Sequence, residues 1–247
     1  MTIRHCARSD PGIRTKNEDA CGVWTYQAGD ELLHLFVVAD GLGGHAAGEI
    51  ASRLTIEKIA AKVGSLIRGV TDGASEARFL LTEGIIAANE AVIQRGFKDP
   101  SCSEMGSTVV AALCDRDGYG AVACMGDSRA YLLAQEISQI TRDHSYVQEL
   151  LDTGMIAQAQ VHRHPCKNIV TRIIGRSGEV PDIYPLTIGD ARLLLCSDGL
   201  NDGLEDKEIL SLARGLPLEE ACEALMRGSK VKSRDNVTII LVEFYQA

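Results

Sequence analysis

No apolar run in this 247-residue chain approaches the roughly 20 residues needed to cross a bilayer. The opening segment, MTIRHCARSDPGIR, has no apolar signal-peptide core. A cytoplasmic protein with no membrane partner is therefore expected. No run of Lys or Arg exceeds two residues and the net charge is −9, which argues against nucleic-acid binding, since that needs a basic surface. The eight cysteines (6, 21, 102, 114, 124, 166, 196 and 222) include no C-x-x-C pair. Cys114, Cys124 and Cys196 lie inside apolar runs, where a free thiol behaves as a small hydrophobe. Reduced, buried cysteines are expected rather than disulfides or a zinc site. Repeats, low-complexity tracts and linkers are also missing, so residues 1–247 read as a single domain. Nothing marks an oligomer interface, and a monomer is expected.

What the chain does have is aspartate at the edges of strand-like apolar runs. Asp40 ends LLHLFVVAD, Asp127 follows AVACMG, Asp198 follows RLLLCS, and Asp235 stands just before NVTIILVEF. Apolar runs of this length bounded by Gly, Asp and Asn read as buried strands. Each aspartate sits in a short turn (DGLGG, GDSR, SDG, SRDN), so the strand ends are expected to converge on one acidic pocket. Crowded carboxylates repel one another and resist desolvation. A divalent cation relieves both penalties, and an all-oxygen ligand set suits Mg²⁺ or Mn²⁺ rather than Zn²⁺.

Periodicity fills in the architecture. Residues 20–27 and 32–39 read as two strands joined at Gly29-Asp30. A helix is expected from Ala46, with Ala47, Ile50, Ala51 and Leu54 on one face, and a second over 76–95 with Leu81, Ile85, Ala88 and Val92 aligned. Residues 107–114, 120–125, 129–134 and 137–141 read as a meander of short strands. The stretch 144–180 is polar and His-rich, with one short helix over 146–152. Strands resume at 182–188 and 191–197, helices follow at 205–214 and 217–227, and residues 237–244 close as a strand. Strands joined by short turns, with helices in pairs, predict an antiparallel α+β layer fold rather than βαβ alternation.

Several motifs have ordinary readings when taken singly. Arg14-Thr-Lys-Asn17-Glu18-Asp19 is by itself a solvated turn, and Gly106-Ser107-Thr108 could be plain caps. His162-x-His164 suggests a metal pair, although histidines in a polar loop are more often solvated or packed. Gly41-x-Gly43-x-x-Ala46 matches a dinucleotide fingerprint. Asp40, however, would face the pyrophosphate with like charge, and no second acidic strand end follows about 20 residues later. No Gly-Lys-Ser/Thr follows either, which excludes a P-loop.

Taken in order, the motifs resemble the PP2C-type (PPM) metal-dependent protein serine/threonine phosphatases in their compact bacterial form. The resemblance runs from Ser9-Asp10-x-Gly12 through Arg14-x-x-Asn17-Glu18-Asp19, Asp40-Gly41-x-Gly43-Gly44-His45 and Gly106-Ser107-Thr108. It continues through Gly126-Asp127-Ser128-Arg129, Asp143-His144-Ser145, His164-Pro165-x-x-Asn168-x-x-Thr171-Arg172-x-x-Gly175, Ser197-Asp198-Gly199-Leu200 and Asp235-Asn236-Val237-Thr238.

That resemblance implies a four-layer αββα sandwich, two antiparallel β-sheets flanked by helix pairs, with metals at one end. It implies that Asp40 bridges two Mn²⁺ or Mg²⁺ ions, that the Gly41 carbonyl ligates one, and that Asp198 and Asp235 complete the other. Glu18 would act through water, Asp127 with Asp198 would form a third, weaker position, and Arg14 would grip the substrate phosphate. The implied reaction is hydrolysis of phosphoserine or phosphothreonine on proteins by a hydroxide bridging the ions, opposing a bacterial Ser/Thr kinase. Leu42 stands where eukaryotic members often carry a histidine general acid, and the nearest histidine is His45. Metal-bound water is therefore expected to protonate the leaving group. Residues 144–180 resemble the family's flap beside the site. The alternative is a catalytically silent relative that uses the fold as a binding surface.

Overall fold

The structure is a computed structural model that describes residues 2–43, 47–67, 73–161 and 163–245. Two antiparallel sheets stack face to face. One sheet contains β1 (Thr2–Asp10), β7 (Arg129–Leu133), β8 (Ile137–Gln139), β10 (Arg192–Cys196) and β11 (Val237–Tyr245), in the spatial order β1-β11-β10-β7-β8. The other contains β2 (Asp19–Ala28), β3 (Glu31–Leu42), β5 (Val109–Asp115), β6 (Tyr119–Met125) and β9 (Asp182–Thr187), in the order β2-β3-β5-β6-β9. A two-residue strand, β4 (Gly106–Ser107), pairs with the far end of β3.

Alternation explains why the strands read as unbroken apolar runs. On β3, Leu33, Leu35, Val37 and Ala39 point at helices, while Phe36 and Val38 point at the opposite sheet. On β11, Val237, Ile239 and Leu241 face helices, while Ile240 and Val242 face the sheet interface. A strand buried on both faces has no polar side to display. Two long helices, α1 (Ala47–Leu66) and α2 (Gly73–Lys98), cover the β3/β5/β6 sheet. The aligned Leu81, Ile85, Ala88 and Val92 of α2 are all buried there. On the outer face of the other sheet lie α5 (Asp198–Gly203), α6 (Asp206–Ala213) and α7 (Leu218–Ser229), with Leu218, Ala221, Cys222 and Leu225 of α7 turned inward. The result is the expected αββα sandwich.

Three features depart from the sequence reading. Thr2–Asp10 is a full strand although only Cys6 on it is buried. Its order comes from nine residues of register with β11, a partner too distant in sequence to be seen by local pattern. Asp40 does not end its strand, because β3 runs two residues further to pair with β4. Asp198 opens a one-and-a-half-turn helix where a turn was expected. The flap-like stretch holds α3 (Tyr146–Asp152) and α4 (Gln158–Val161); an antiparallel bridge Ser145–Val170 closes it on itself, and another, Ser107–Ile174, ties it to the body. All eight cysteines are free; six are buried, while Cys21 and Cys166 are half-buried rather than buried as expected.

Candidate active site

At one end of the sandwich the β2–β3 pair, the β6–β7 turn, the β10–α5 junction and the turn before β11 meet. They enclose a cleft of about 440 Å³, lined by Asp40, Asp127, Asp198 and Asp235 together with Arg14, Glu18 and Gly41. The backbone makes this convergence happen. Asp40 stands opposite Asp19 in the β2–β3 register, and its carbonyl accepts from Thr108 N–H at 2.8 Å and Ser107 Oγ at 3.0 Å. Gly41 approaches too closely for any side chain, since a Cβ would run into the Gly48 carbonyl. Gly199 meets the Asn236 carbonyl in the same way, and this brings Asp198 alongside Asp235.

Arg14 reaches the cleft from a turn. Its Nη2 donates to Asp235 Oδ2 at 2.8 Å and its Nε to the Arg234 carbonyl at 2.9 Å. Asn236 clamps that turn: its Nδ2 donates to the Pro11 and Lys16 carbonyls, and its Oδ1 accepts from Glu18 N–H at 2.8 Å. The neighbouring Asp235 Oδ1 accepts from the Asn236 N–H.

The electrostatics are those of a site short of positive charge. Desolvation, reinforced by Asp19, Asp198, Asp127 and Asp235, pushes the Asp40 carboxyl well above the usual carboxylate range. Asp198 rises in the same way, through desolvation and then Asp127 and Asp235. Burial and Asp143 lift Asp127 to about 7. Desolvation also raises Glu18, with Arg14 opposing it. Asp198 Oδ1 is buried without any hydrogen-bond partner, and so is Asp19 Oδ1. Asp198 lines the cleft, and an orphaned carboxylate oxygen there is what an oxygen-loving divalent cation would satisfy. Among the described residues no three His, Cys, Asp or Glu side chains are gathered into a closed ligand set. Arg14 holds Asp235, and the donors that line the cleft are oxygens, which fits the ions.

Asp19 was quoted in the first motif without a role. It is buried, its Oδ2 accepts from Ser197 Oγ at 2.8 Å, and desolvation raises it to about 6. Its alternation with Cys21 and Val23, on a strand bordering Asp40, was the signal available in sequence. The clamp by Asn236 left no such signal, because its partners lie more than 200 residues away. Asn168 and Val170 bring the flap-like stretch to the cleft wall. His164 sits beside Tyr146, with ring centroids 6.4 Å apart. Its supposed metal partner His162 lies outside the described residues, and so do Gly44 and His45. A larger concavity of about 1160 Å³, bordered by Leu133, Arg192 and Arg214, opens toward the opposite ends of β7 and β10, away from the carboxylates.

The chain matches the family model described as Protein phosphatase 2C over residues 13–235. It is 36% identical to the serine/threonine protein phosphatase PstP of Mycobacterium tuberculosis over 98% of this chain, and spans only 45% of that relative's length. It is 35% identical to the serine/threonine phosphatase stp of Listeria monocytogenes, covering 96% of this chain and 94% of the relative. The solved structure of Stp1 from Staphylococcus aureus superposes with a TM-score of 0.89 at 32% identity, over 100% of this chain and 96% of that one. A solved catalytic domain of PstP in complex with two manganese ions superposes with a TM-score of 0.81 at 32% identity, over 98% of this chain and 97% of that one. With a family model spanning most of its length and relatives above 30% identity, this chain belongs to the protein phosphatase 2C family.

Proposed function

We propose that the chain is a metal-dependent phosphatase acting on phosphoserine and phosphothreonine in proteins, opposing a Ser/Thr kinase. The observation that carries this reading is the convergence of Asp40, Asp127, Asp198 and Asp235, with an orphaned oxygen on Asp198, beside the guanidinium of Arg14. In this reading Asp40, the Gly41 carbonyl, Asp198 and Asp235 hold two Mn²⁺ or Mg²⁺ ions, Glu18 acts through water, and Asp127 with Asp198 offers a third position. Ions bound there supply a water of lowered pKa as nucleophile and neutralise charge on the phosphoryl oxygens.

The chain's own groups do the rest. Arg14 leaves Asp235 and presents its planar fork to the phosphate oxygens. Asn236 holds the Arg14 turn at the cleft edge, and Gly41 lets the backbone come close enough to use its carbonyl as a ligand. No cysteine lines the cleft, so a thiol–phosphate intermediate has no candidate among the described residues. No described histidine lines it either, so no described imidazole is placed to protonate the leaving alkoxide, and water held at the ions would supply that proton. An acidic limb near the ordinary histidine pKa in the pH–rate profile, lost in His45→Ala, would instead make His45 the acid.

Phosphoproteins are the partners this reading requires, and a monomer in the cytoplasm remains the expectation for its setting. No described helix is long and apolar enough to cross a membrane. The deciding experiment is phosphate release from a phosphothreonine peptide with Mn²⁺, Mg²⁺ or EDTA, using the wild type and Asp198→Ala. Metal-dependent turnover lost with EDTA and in the variant supports the phosphatase. A folded wild type that turns over nothing with any metal moves the chain to the silent binding relatives.

A further inference from the structure

The turn that carries Asp127 into the cleft is held from behind by one imidazole. Gly126 has φ +117°, a conformation open mainly to glycine, and a Cβ there would press on Thr108. The turn therefore owes its shape to its neighbours. His144 provides two contacts to the turn and a third that anchors the imidazole itself. Its backbone N–H donates to the Gly126 carbonyl at 2.8 Å, its Nδ1 accepts from the Gly126 N–H at 3.1 Å, and its Nε2 lies 3.0 Å from Asp182 Oδ2 on β9. The His144 carbonyl accepts from Thr171 N–H at 2.8 Å, reaching into the flap-like stretch.

These contacts fix the tautomer. The Gly126 N–H can only donate, so Nδ1 must be the acceptor and the ring proton sits on Nε2, where it donates to Asp182. Arg172 Nη1 donates to the other oxygen, Asp182 Oδ1, at 2.7 Å, and lies 3.2 Å from Nε2. Two donors side by side share one carboxylate. His144 itself is 5% exposed, although Asp182 is not buried. The adjacent Asp143 takes a bidentate pair from Arg129, Nε to Oδ1 at 2.9 Å and Nη2 to Oδ2 at 2.7 Å. Neither ring nitrogen is free to touch a substrate.

We propose that His144 is a positioning residue: through Nδ1 it sets the Gly126–Asp127 turn, and through Nε2 it anchors that turn to Asp182. Its consequence for metal rests on the reading of Asp127 as a ligand. Its consequence for the turn does not. Outer groups that orient a ligand typically change metal affinity by roughly 10–100-fold.

Two substitutions separate the two nitrogens. His144→Asn keeps an acceptor, Oδ1, in the place of Nδ1 but is too short for Asp182. His144→Gln carries an amide N–H out to Asp182 and leaves Gly126 without its acceptor. In the metal-free protein, hydrogen exchange followed by mass spectrometry should show the peptide around Gly126 exchanging about tenfold faster in His144→Gln, the loss of roughly one hydrogen bond. His144→Asn should stay close to wild type there. Mn²⁺ titration read by electron paramagnetic resonance should then show the weakest-bound ion loosened by about 10–100-fold in His144→Gln, with tighter ions unchanged.

Asp182→Ala, at a half-exposed position, covers the case in which His144→Gln does not fold. It should loosen the ring and give an intermediate effect on both readouts. Unchanged exchange at Gly126 in His144→Gln or in Asp182→Ala would overturn the proposal. Equal losses in the Asn and Gln variants would overturn it too, because that pattern belongs to lost volume. A wild type that binds no Mn²⁺ would sink the metal reading of the cleft, while the exchange data would still decide the role of His144.

Discussion

Asp198 carries the sharpest conflict between stability and chemistry. Its Oδ1 is buried without a partner, and its charge faces Asp127 and Asp235. Replacing it with Asn removes charge from a crowded site while keeping the shape. Asp198→Asn should therefore melt higher than wild type in EDTA, by a gain on the order of 1 kcal/mol, and should release no phosphate with Mn²⁺. A lower melting point without metal would mean that the carboxylates do not repel as described. Arg14 tests the opposite sign. Arg14→Lys keeps the charge but loses the fork, and kcat/KM on a phosphopeptide should fall roughly 10–100-fold, as expected for one or two charge-assisted hydrogen bonds. At this scale the sequence was informative where a residue type is itself the signal. Aspartate in a glycine turn after an apolar run marked the cleft. Asn236 and His144 were present in quoted motifs, yet their work depends on partners far along the chain and could not be read from spacing.

Elements differ in how much of themselves they show. The strands β3, β5 and β11 were legible because both faces are apolar, and α2 because its buried residues recur at helical spacing. β1 was not, since its order is borrowed from β11 through backbone pairing. The short helix α5 hid behind a turn-like sequence because it begins at Asp198 and ends at Gly203. α7 supports the sheet that carries Asp198 and Asp235 without touching the cleft. Leu225→Ala on α7 should cost about 2–5 kcal/mol of stability, read as a lowered Tm, and leave kcat per folded molecule unchanged. Among the described residues, Asn168 and Val170 of the flap-like stretch line the cleft, while Met155 and Ile169 stand exposed on it. Replacing Met155 and Ile169 with serine should alter the ranking of phosphopeptides and spare hydrolysis of a small aryl phosphate. Equal loss of both activities in a folded variant would make the stretch part of the catalytic scaffold.

For the molecule as a whole, the carboxylate cluster sets the direction of the pH response. Asp19 at about 6, Asp127 at about 7, and Asp40 and Asp198 well above the usual carboxylate range are all raised by burial and by neighbouring carboxylates. Between the ordinary carboxylate range and these values the folded state binds more protons than the unfolded one, so stability falls as pH rises. Asp10, held low by Lys230, and Asp182, held low by His144 and Arg172 against desolvation, act the other way, but only in more acidic solution. In EDTA the Tm should therefore climb as pH is lowered from about 8 to about 5. Saturating Mn²⁺ should remove or invert that slope, because the ions compete with the same protons. A flat profile in EDTA would contradict the electrostatic account of the cleft.

The pairing of β1 with β11 also fixes when the catalyst comes into being. Arg14 meets Asp235, and Asn236 clamps the Arg14 turn, only after β11 has been made and laid beside β1. β11 is also the strand between β1 and β10, so a polypeptide that has reached only α7 lacks the middle of one sheet as well as Asp235 and Asn236. Sheet and cleft are therefore completed together, and a nascent polypeptide has neither until β11 has left the ribosome.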